Sequence, residues 1–210
     1  MPFHNTGVKR LLISNAQLVN EGEIRTVDVL VEDDRIARID SGIAAPERAT
    51  VIDAAGKFLL PGMIDDQVHF REPGLTQKGD LATESAAAAA GGITSFMDMP
   101  NVKPLTTTRA ALADKYELAA GRCTGNYGFY LGATNNNIEE IRALQVREAC
   151  GIKAFMGAST GDMLVDDPEA LDQIFEHAPI IVDTHCEDSP MIWANEDAAR
   201  EKYGDNVPVA

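Results

Sequence analysis

The chain has 210 residues, of which 45% are hydrophobic, so it can bury the core of one large domain with or without a smaller one. Its net charge is -15 and its sequence shows no basic stripe of the kind that nucleic acid or an anionic membrane surface needs, so we expect neither partner. The three dispersed cysteines argue against a disulfide framework or structural zinc site, and the acidic chain without an export signal predicts a cytoplasmic protein.

The first 60 residues have the pattern of a small β-structure. Short alternating apolar runs are separated by turn-forming segments, which predicts strands joined as hairpins. These runs are LLISNAQLV, TVDVLVE, RIARID, ATVIDA and KFLL. The rhythm changes at Pro61, so we expect one domain over residues 1–60 and another over 61–210.

After Pro61, apolar strands alternate with helical segments. The predicted strands are GMIDDQVHF, GITSFMDMPN, NYGFYLGAT, GIKAFMGA and PIIVDTHCED. The predicted helices are DLATESAAAAAGG, TTTRAALADKYELAAGR, NNIEEIRALQVREACG and DPEALDQIFEHA. About five βα units at a spacing of roughly 30 residues indicate an α/β fold with a parallel sheet.

Polar residues gather at the carboxyl ends of the predicted strands, where parallel barrels and open sheets carry their sites. The first strand is followed by Gln67, His69 and Arg71, and the second by Asn101; the fourth contains Lys153, and the fifth ends with His185, Glu187 and Asp188. Gln67 and His69 are two residues apart, so an extended strand would point both side chains to one face. The convergence of several strand ends therefore predicts one shared pocket.

Four segments in this order, DDQVHFREPG, GGITSFMDMPNVKP, GIKAFMGASTGDMLVDD and VDTHCED, resemble dihydroorotases of the amidohydrolase superfamily. The resemblance extends over essentially the whole chain. It implies a TIM-type (β/α)8 barrel with a small N-terminal β-sandwich subdomain and one or two zinc ions. The implied reaction, in pyrimidine biosynthesis, is the reversible hydrolysis of the cyclic amide of dihydroorotate to N-carbamoyl-aspartate.

The same resemblance implies roles for particular residues. His69 and His185 would be zinc ligands, and Lys153 would react with carbon dioxide to form a carbamate that bridges the metals. Arg71 and Asn101 would hold the substrate carboxylate. Gln67 stands where the family commonly has histidine, and an amide oxygen is a weak zinc ligand, so the number of zinc ions stays open.

Each of these residues also has a structural interpretation. Arg71 could form a salt bridge with Glu72 or Asp80, and Asn101 could close a turn. A lysine in a strand as apolar as GIKAFMG needs either a partner or a modification. Glu187 and Asp188 could orient His185 or could be solvated loop charges.

Five strands are fewer than the eight of a closed barrel. The resemblance places a further metal histidine and the general base after Ala210, so no catalytic base is expected within the chain. We therefore expect the N-terminal half of a longer protein, inactive alone. A homodimer is expected from the resemblance.

Other functions remain open. Allantoinase and dihydropyrimidinase or hydantoinase are related cyclic amidohydrolases, although Arg71 and the sequence MetProAsn favour a substrate with a free carboxylate. A different class is a non-catalytic dihydroorotase-like subunit that scaffolds aspartate transcarbamoylase, and Gln67 is its main support.

Overall fold

The computed structural model describes residues 8–157, 161–206 and 208. The chain divides into two compact units, Met1–Gly62 and Met63–Ala210. The division lies next to Pro61, where the sequence pattern changes. Two statements stay predictions: that residues 1–60 belong to a β-sandwich subdomain, and that residues 61–210 are an incomplete barrel of a longer protein.

The first unit contains one five-stranded sheet. Its strands are β1 (Arg10–Asn20), β2 (Glu23–Glu32), β3 (Arg35–Asp40), β4 (Thr50–Asp53) and β5 (Phe58–Leu59). The order is β3-β2-β1-β4, and β5 pairs with β1 beyond β4. The antiparallel pairs β1/β2 and β2/β3 confirm two of the predicted hairpins.

The prediction of hairpins is wrong for β4 and β5, which both run parallel to β1. The physical reason lies at Asn15, where a positive φ of 58° accompanies a register shift in the pairing of β1 with β2. The Asp28 carboxylate accepts hydrogen bonds from the backbone of Asn15 and Ile43, at 2.8 Å each. These bonds tie the connection after β3 to the bulge in β1, and the chain then returns beside β1 in the same direction.

The second unit is a parallel sheet whose strands follow one another in chain order, β10-β9-β8-β7-β6. The strands are β6 (Met63–Val68), β7 (Ile93–Asp98), β8 (Asn126–Gly132), β9 (Gly151–Phe155) and β10 (Val182–His185). The helices are α1 (Leu81–Ala90), α2 (Arg109–Ala119), α3 (Ile138–Ala143), α4 (Pro168–His177) and α5 (Ser189–Tyr203), with a 3-10 turn at Gly161–Met163. This partial βα barrel confirms the predicted fold class.

Apolar strand residues and helix faces form one core in this unit. The largest fully buried apolar side chains include Phe96, Phe129, Leu131, Ile141 and Ile152. The helices begin where polar caps satisfy their first N–H groups: Asp80 and Thr83 form a capping box on α1, and Thr108 caps α2. The core therefore centres on the inner strands β7, β8 and β9, while β6 and β10 lie at the edges of the described sheet.

Two helices differ from the sequence prediction. The third predicted helix covered residues 136–151, but α3 ends at Ala143 because Leu144 is extended and buried in the core. The Glu148 carboxylate accepts the Gln145 N–H at 2.9 Å, and this local turn replaces further helix. No helix was predicted for α5; it buries no residue, so it has no core-facing apolar stripe to reveal it.

Among the described residues, no helix has both the length and the hydropathy needed to cross a membrane.

Candidate active site

The ends of β6 and β7 bring His69 and Asn101 together. The Met99 N–H donates to the Val68 carbonyl at 3.0 Å, which extends the pairing of the two strands by one step. Beyond it, His69 Nδ1 lies 2.9 Å from Asn101 Oδ1. When Nδ1 donates this bond, Nε2 of the ring carries the lone pair that a metal or a substrate proton needs.

Burial lowers the pKa of His69, and the positive charges of Arg71 and Lys153 lower it further. The hydrogen bond to Asn101 and the charge of Asp98 act in the opposite direction. The imidazole is thus neutral near pH 7, which is the form that coordinates metals. The influence of Lys153 also indicates that β9 ends in the same electrostatic environment as β6.

Lys153 lies in β9 and is 1% exposed. Its Nζ donates to Asp183 Oδ2 at 2.6 Å, and Asp183 is its register partner on β10. The ammonium also lies 5.3 Å from the centroid of the Phe155 ring. The partner that an unmodified lysine needs in this apolar strand is therefore Asp183.

His185, the last residue of β10, is fixed on two sides. Its Nδ1 lies 2.9 Å from Glu187 Oε1, and its ring stacks on Phe155 with a centroid distance of 5.2 Å. The hydrogen bond to His185 is the main cause that lowers the pKa of Glu187, and Lys153 contributes more weakly. Asp188 instead caps α5 by accepting the Met191 N–H at 2.9 Å. The two acidic residues thus have different roles: Glu187 orients His185, and Asp188 starts a helix.

Arg71 does not form either of the salt bridges considered from sequence. The Glu72 carboxylate is held in a bidentate pair by Arg122, at 3.0 and 3.1 Å, and also accepts the Leu81 N–H at 2.8 Å. Within residues 8–157 and 161–206, Arg71 has no ion-pair partner. Its side chain is half-buried, and its backbone φ is +70°. Its guanidinium remains available for an anion.

Gln67 is exposed and lies within β6, whereas His69 follows the strand and is half-buried. The pairing of β6 with β7 is irregular between Asp65 and Val68, so the simple alternation of faces is interrupted just before His69. The role of Gln67 as a metal ligand stays a prediction.

The loops after β6 and β7 also press against each other. The Lys103 N–H donates to the Pro73 carbonyl at 3.0 Å. A Cβ on Gly74, whose φ is +79°, would lie 2.0 Å from the Lys103 carbonyl oxygen. Only glycine permits this approach, so the segments that carry Arg71 and Asn101 behave as one unit.

The described residues contain no group of three or more His, Cys, Asp and Glu side chains arranged to hold a metal ion. Two features nevertheless fit zinc. Each imidazole has its Nδ1 engaged by an oxygen, as metal-bound histidines usually do, and Glu187 Oε2 is buried without a hydrogen-bond partner in the described structure. His69 and His185 could therefore supply two nitrogen ligands, and Lys153 an oxygen ligand if carbamylated.

Sequence reasoning missed three residues around this site: Asp98, Lys115 and Asp183. Asp98 and Lys115 form a buried ion pair, and Asp183 pairs with Lys153. A signal existed for the two aspartates, because each is a charged residue inside an otherwise apolar strand pattern. Their partners come from other elements and could not be assigned from spacing.

Comparison with known proteins places this arrangement in a family. Residues 56–151 match the family model described as Dihydro-orotase-like. An L-hydantoinase of Paenarthrobacter aurescens is 33% identical over 189 residues, covering 88% of this chain and 41% of the relative. A dihydroorotase of Methanosarcina acetivorans is 36% identical over 186 residues, covering 85% and 39%. The chain belongs to the dihydroorotase-like cyclic amidohydrolases.

One solved structure and a further sequence relative agree with this assignment. The L-hydantoinase (dihydropyrimidinase) from Arthrobacter aurescens superposes on this chain with a TM-score of 0.83 at 31% identity, covering 92% of this chain and 44% of that one. An Escherichia coli allantoinase is 34% identical over 204 residues, covering 91% of this chain and 44% of the relative. The chain thus spans less than half the length of these relatives.

Proposed function

We propose that the protein opens and closes the cyclic amide ring of dihydroorotate, with N-carbamoyl-aspartate as the open form. One observation carries the proposal: Arg71, without an ion-pair partner in the described residues, lies beside the His69–Asn101 pair. The neighbouring Glu72 carboxylate is already paired with Arg122 and does not pair with Arg71. A planar carboxylate on the substrate matches the guanidinium fork.

The residues of this chain would divide the work between binding and positioning. Arg71 and Asn101 bind the substrate carboxylate and fix the ring, while Asn101 also orients His69. His69 and His185 would hold zinc through Nε2, with Glu187 keeping the ring of His185 in place. When bound, zinc polarises the amide carbonyl and lowers the pKa of water to about 7. Whether one zinc ion or two bind depends on whether Gln67 coordinates.

Carbamylation of Lys153 is part of the proposal. The location of the lysine within β9 supports it, because its charge acts on His69 and on Glu187, which holds His185. The ion pair with Asp183 already satisfies the ammonium, so burial alone does not require the modification. Carbon-13 spectroscopy of protein supplied with labelled bicarbonate tests it: a carbamate signal that Lys153→Arg abolishes supports the assignment.

The decisive experiment uses the complete protein, supplied with zinc and bicarbonate. Initial rates are measured on dihydroorotate, carbamoyl aspartate, hydantoin, dihydrouracil and allantoin. The proposal expects the highest kcat/KM for dihydroorotate. A preference for an uncharged ring contradicts the substrate assignment but keeps the cyclic amidohydrolase.

The second candidate is a hydantoinase or dihydropyrimidinase, supported by the superposition on an L-hydantoinase at a TM-score of 0.83. Arg71 discriminates between them, because a ring without a carboxylate has no use for its charge. Folded, zinc-loaded protein without turnover on any of the five compounds would favour a non-catalytic subunit that scaffolds aspartate transcarbamoylase. That partner, the homodimer and the cytoplasmic location stay predictions.

A further inference from the structure

A buried ion pair lies behind the candidate site and has no part in the chemistry described so far. Asp98 is 0% exposed at the end of β7, and Lys115 of α2 is 1% exposed. Lys115 Nζ lies 2.8 Å from Asp98 Oδ2 and donates to the Met99 carbonyl at 3.0 Å. Well-packed apolar residues often stabilise a core as well as such a pair does, so stability alone is a weak reason for it.

The other oxygen of Asp98 points to the site. Asp98 Oδ1 accepts the backbone N–H of Phe70 at 2.9 Å. This N–H belongs to the peptide bond between His69 and Phe70, which lies just beyond the last residue of β6. The strand ladder therefore does not hold it, and Asp98 does.

The orientation of the peptide bond between His69 and Phe70 affects the side chains of both His69 and Arg71. His69 precedes Phe70, and Arg71 follows it with a φ of +70°, a conformation that non-glycine residues seldom adopt. The Phe70 ring is itself fixed, since it is 6% exposed and packs against Phe96 at a centroid distance of 4.6 Å. A rotated peptide would therefore move the imidazole and the guanidinium together.

Lys115 fixes the direction of the carboxylate. Its ammonium lies 2.8 Å from Oδ2, which has no other partner in the described residues, so Lys115 alone holds this oxygen. Because Nζ is also bonded to the Met99 carbonyl, it ties the carboxylate to the backbone that leads to Asn101. Oδ1 is thereby left to face Phe70.

We propose that Asp98, held by Lys115, is a positioning residue that sets the geometry of His69 and Arg71 through the Phe70 amide. The functional part of this inference rests on the proposed function, because it requires that Arg71 bind the substrate carboxylate. Neither residue contacts substrate.

Two double variants of the complete protein separate positioning from stability. Asp98→Asn/Lys115→Met and Asp98→Leu/Lys115→Met both remove the buried charges, but only the first keeps an acceptor for the Phe70 N–H. We expect the leucine variant to raise KM for dihydroorotate by about tenfold or more because Arg71 moves, and to lower kcat as well because His69 moves with it. The asparagine variant should stay within about threefold of the unmodified KM.

Hydrogen exchange and a third substitution complete the test. The Phe70 amide should exchange faster in the leucine variant alone, and the KM difference should vanish when Arg71→Ala is added, because the displaced side chain is then absent. Equal KM values for the two double variants would overturn the inference, as would a KM difference that persists without Arg71.

Two further outcomes also decide the matter. If the leucine variant does not fold, Lys115→Gln replaces it, and an equal KM effect with and without Arg71 overturns the inference. If the unmodified protein turns over no cyclic amide, the proposed function fails separately. In that case the positioning role is tested by the Phe70 exchange rates and by calorimetric affinity for dihydroorotate. If the two double variants differ in neither measurement, the inference is overturned.

Discussion

At the scale of single residues, Arg71 is the group that distinguishes the candidate substrates. Replacement by alanine removes the charge-assisted contact with the carboxylate, and a hydrogen bond of this kind contributes roughly 1.5–3 kcal/mol. We expect Arg71→Ala to lower kcat/KM for dihydroorotate by roughly 10- to 100-fold, mainly through KM. Steady-state kinetics of the complete protein measure this change, and zinc content should be unaltered.

Two comparisons make that result specific. Arg71→Lys keeps the charge but loses the fork, so its KM should lie between those of the unmodified protein and Arg71→Ala. Arg25→Ala, an exposed arginine in the first unit, should change nothing. An unchanged KM for Arg71→Ala would show that another group binds the carboxylate.

The residue types of the site could be anticipated from sequence, whereas their partners could not. Strand-end position brought His69, Arg71, Asn101 and His185 to attention, and the structure brings His69 and Asn101 within hydrogen-bonding distance. The availability of Arg71 depends on Arg122, which is remote in sequence. Pattern analysis reports faces and periods, but pairings between elements arise only in the folded chain.

At the scale of elements, the segment after α3 is held to the start of α2 by charge. Arg109 donates to both carboxylate oxygens of Glu148, at 2.9 and 2.7 Å, and its backbone N–H donates to Glu140 at 2.8 Å. The bond with Arg109 is the main reason that the pKa of Glu148 is lowered to about 2. A short connection that does not continue as helix is anchored in this way.

This pair predicts a pH dependence of stability. A carboxylate with a lowered pKa stabilises the folded state above its unfolded value of 4.5, and this contribution disappears as pH falls through the folded value of about 2. Glu148→Gln should therefore lower the thermal unfolding midpoint at pH 7, and the difference should shrink below pH 4.5. Scans of both proteins between pH 2 and 7 measure it.

Glu139→Gln is a matched control, because Glu139 also pairs with an arginine but is largely exposed. Exposed pairs contribute little, so its midpoint should follow the unmodified protein at every pH. A difference for Glu148→Gln that is constant with pH would mean that packing, and not charge, anchors the segment.

The elements that were predicted wrongly share a physical cause. The extended helix over residues 136–151 fails because a side-chain-to-backbone bond at Glu148 and the burial of Leu144 favour a turn. The parallel return of β4 follows from Asp28, which binds backbone groups far apart in sequence. Strongly periodic strands, in contrast, were found close to their predicted positions.

At the scale of the whole molecule, apolar side chains are exposed along one end of the parallel sheet. β10 is an edge strand, and Ile181 beside it is 71% exposed. In α5, Met191, Ile192 and Trp193 are 60%, 48% and 61% exposed. Unpaired edges and apolar patches of this kind promote association, whereas the net charge of -15 opposes it.

These opposed effects give a prediction for the 210-residue chain by itself. Salt screens charge over about 8 Å at 0.15 M, so raising the salt concentration weakens repulsion but not apolar contact. Sedimentation velocity should show association that increases with salt, and the emission of Trp193, the only tryptophan, should shift to shorter wavelength. Ile181→Lys at the edge should reduce association, while Ser41→Lys, with the same charge change on an exposed turn, should have a smaller effect. Association that decreases with salt would instead indicate contacts between charges. Equal effects of the two lysine substitutions would show that the chains do not associate through the β10 edge.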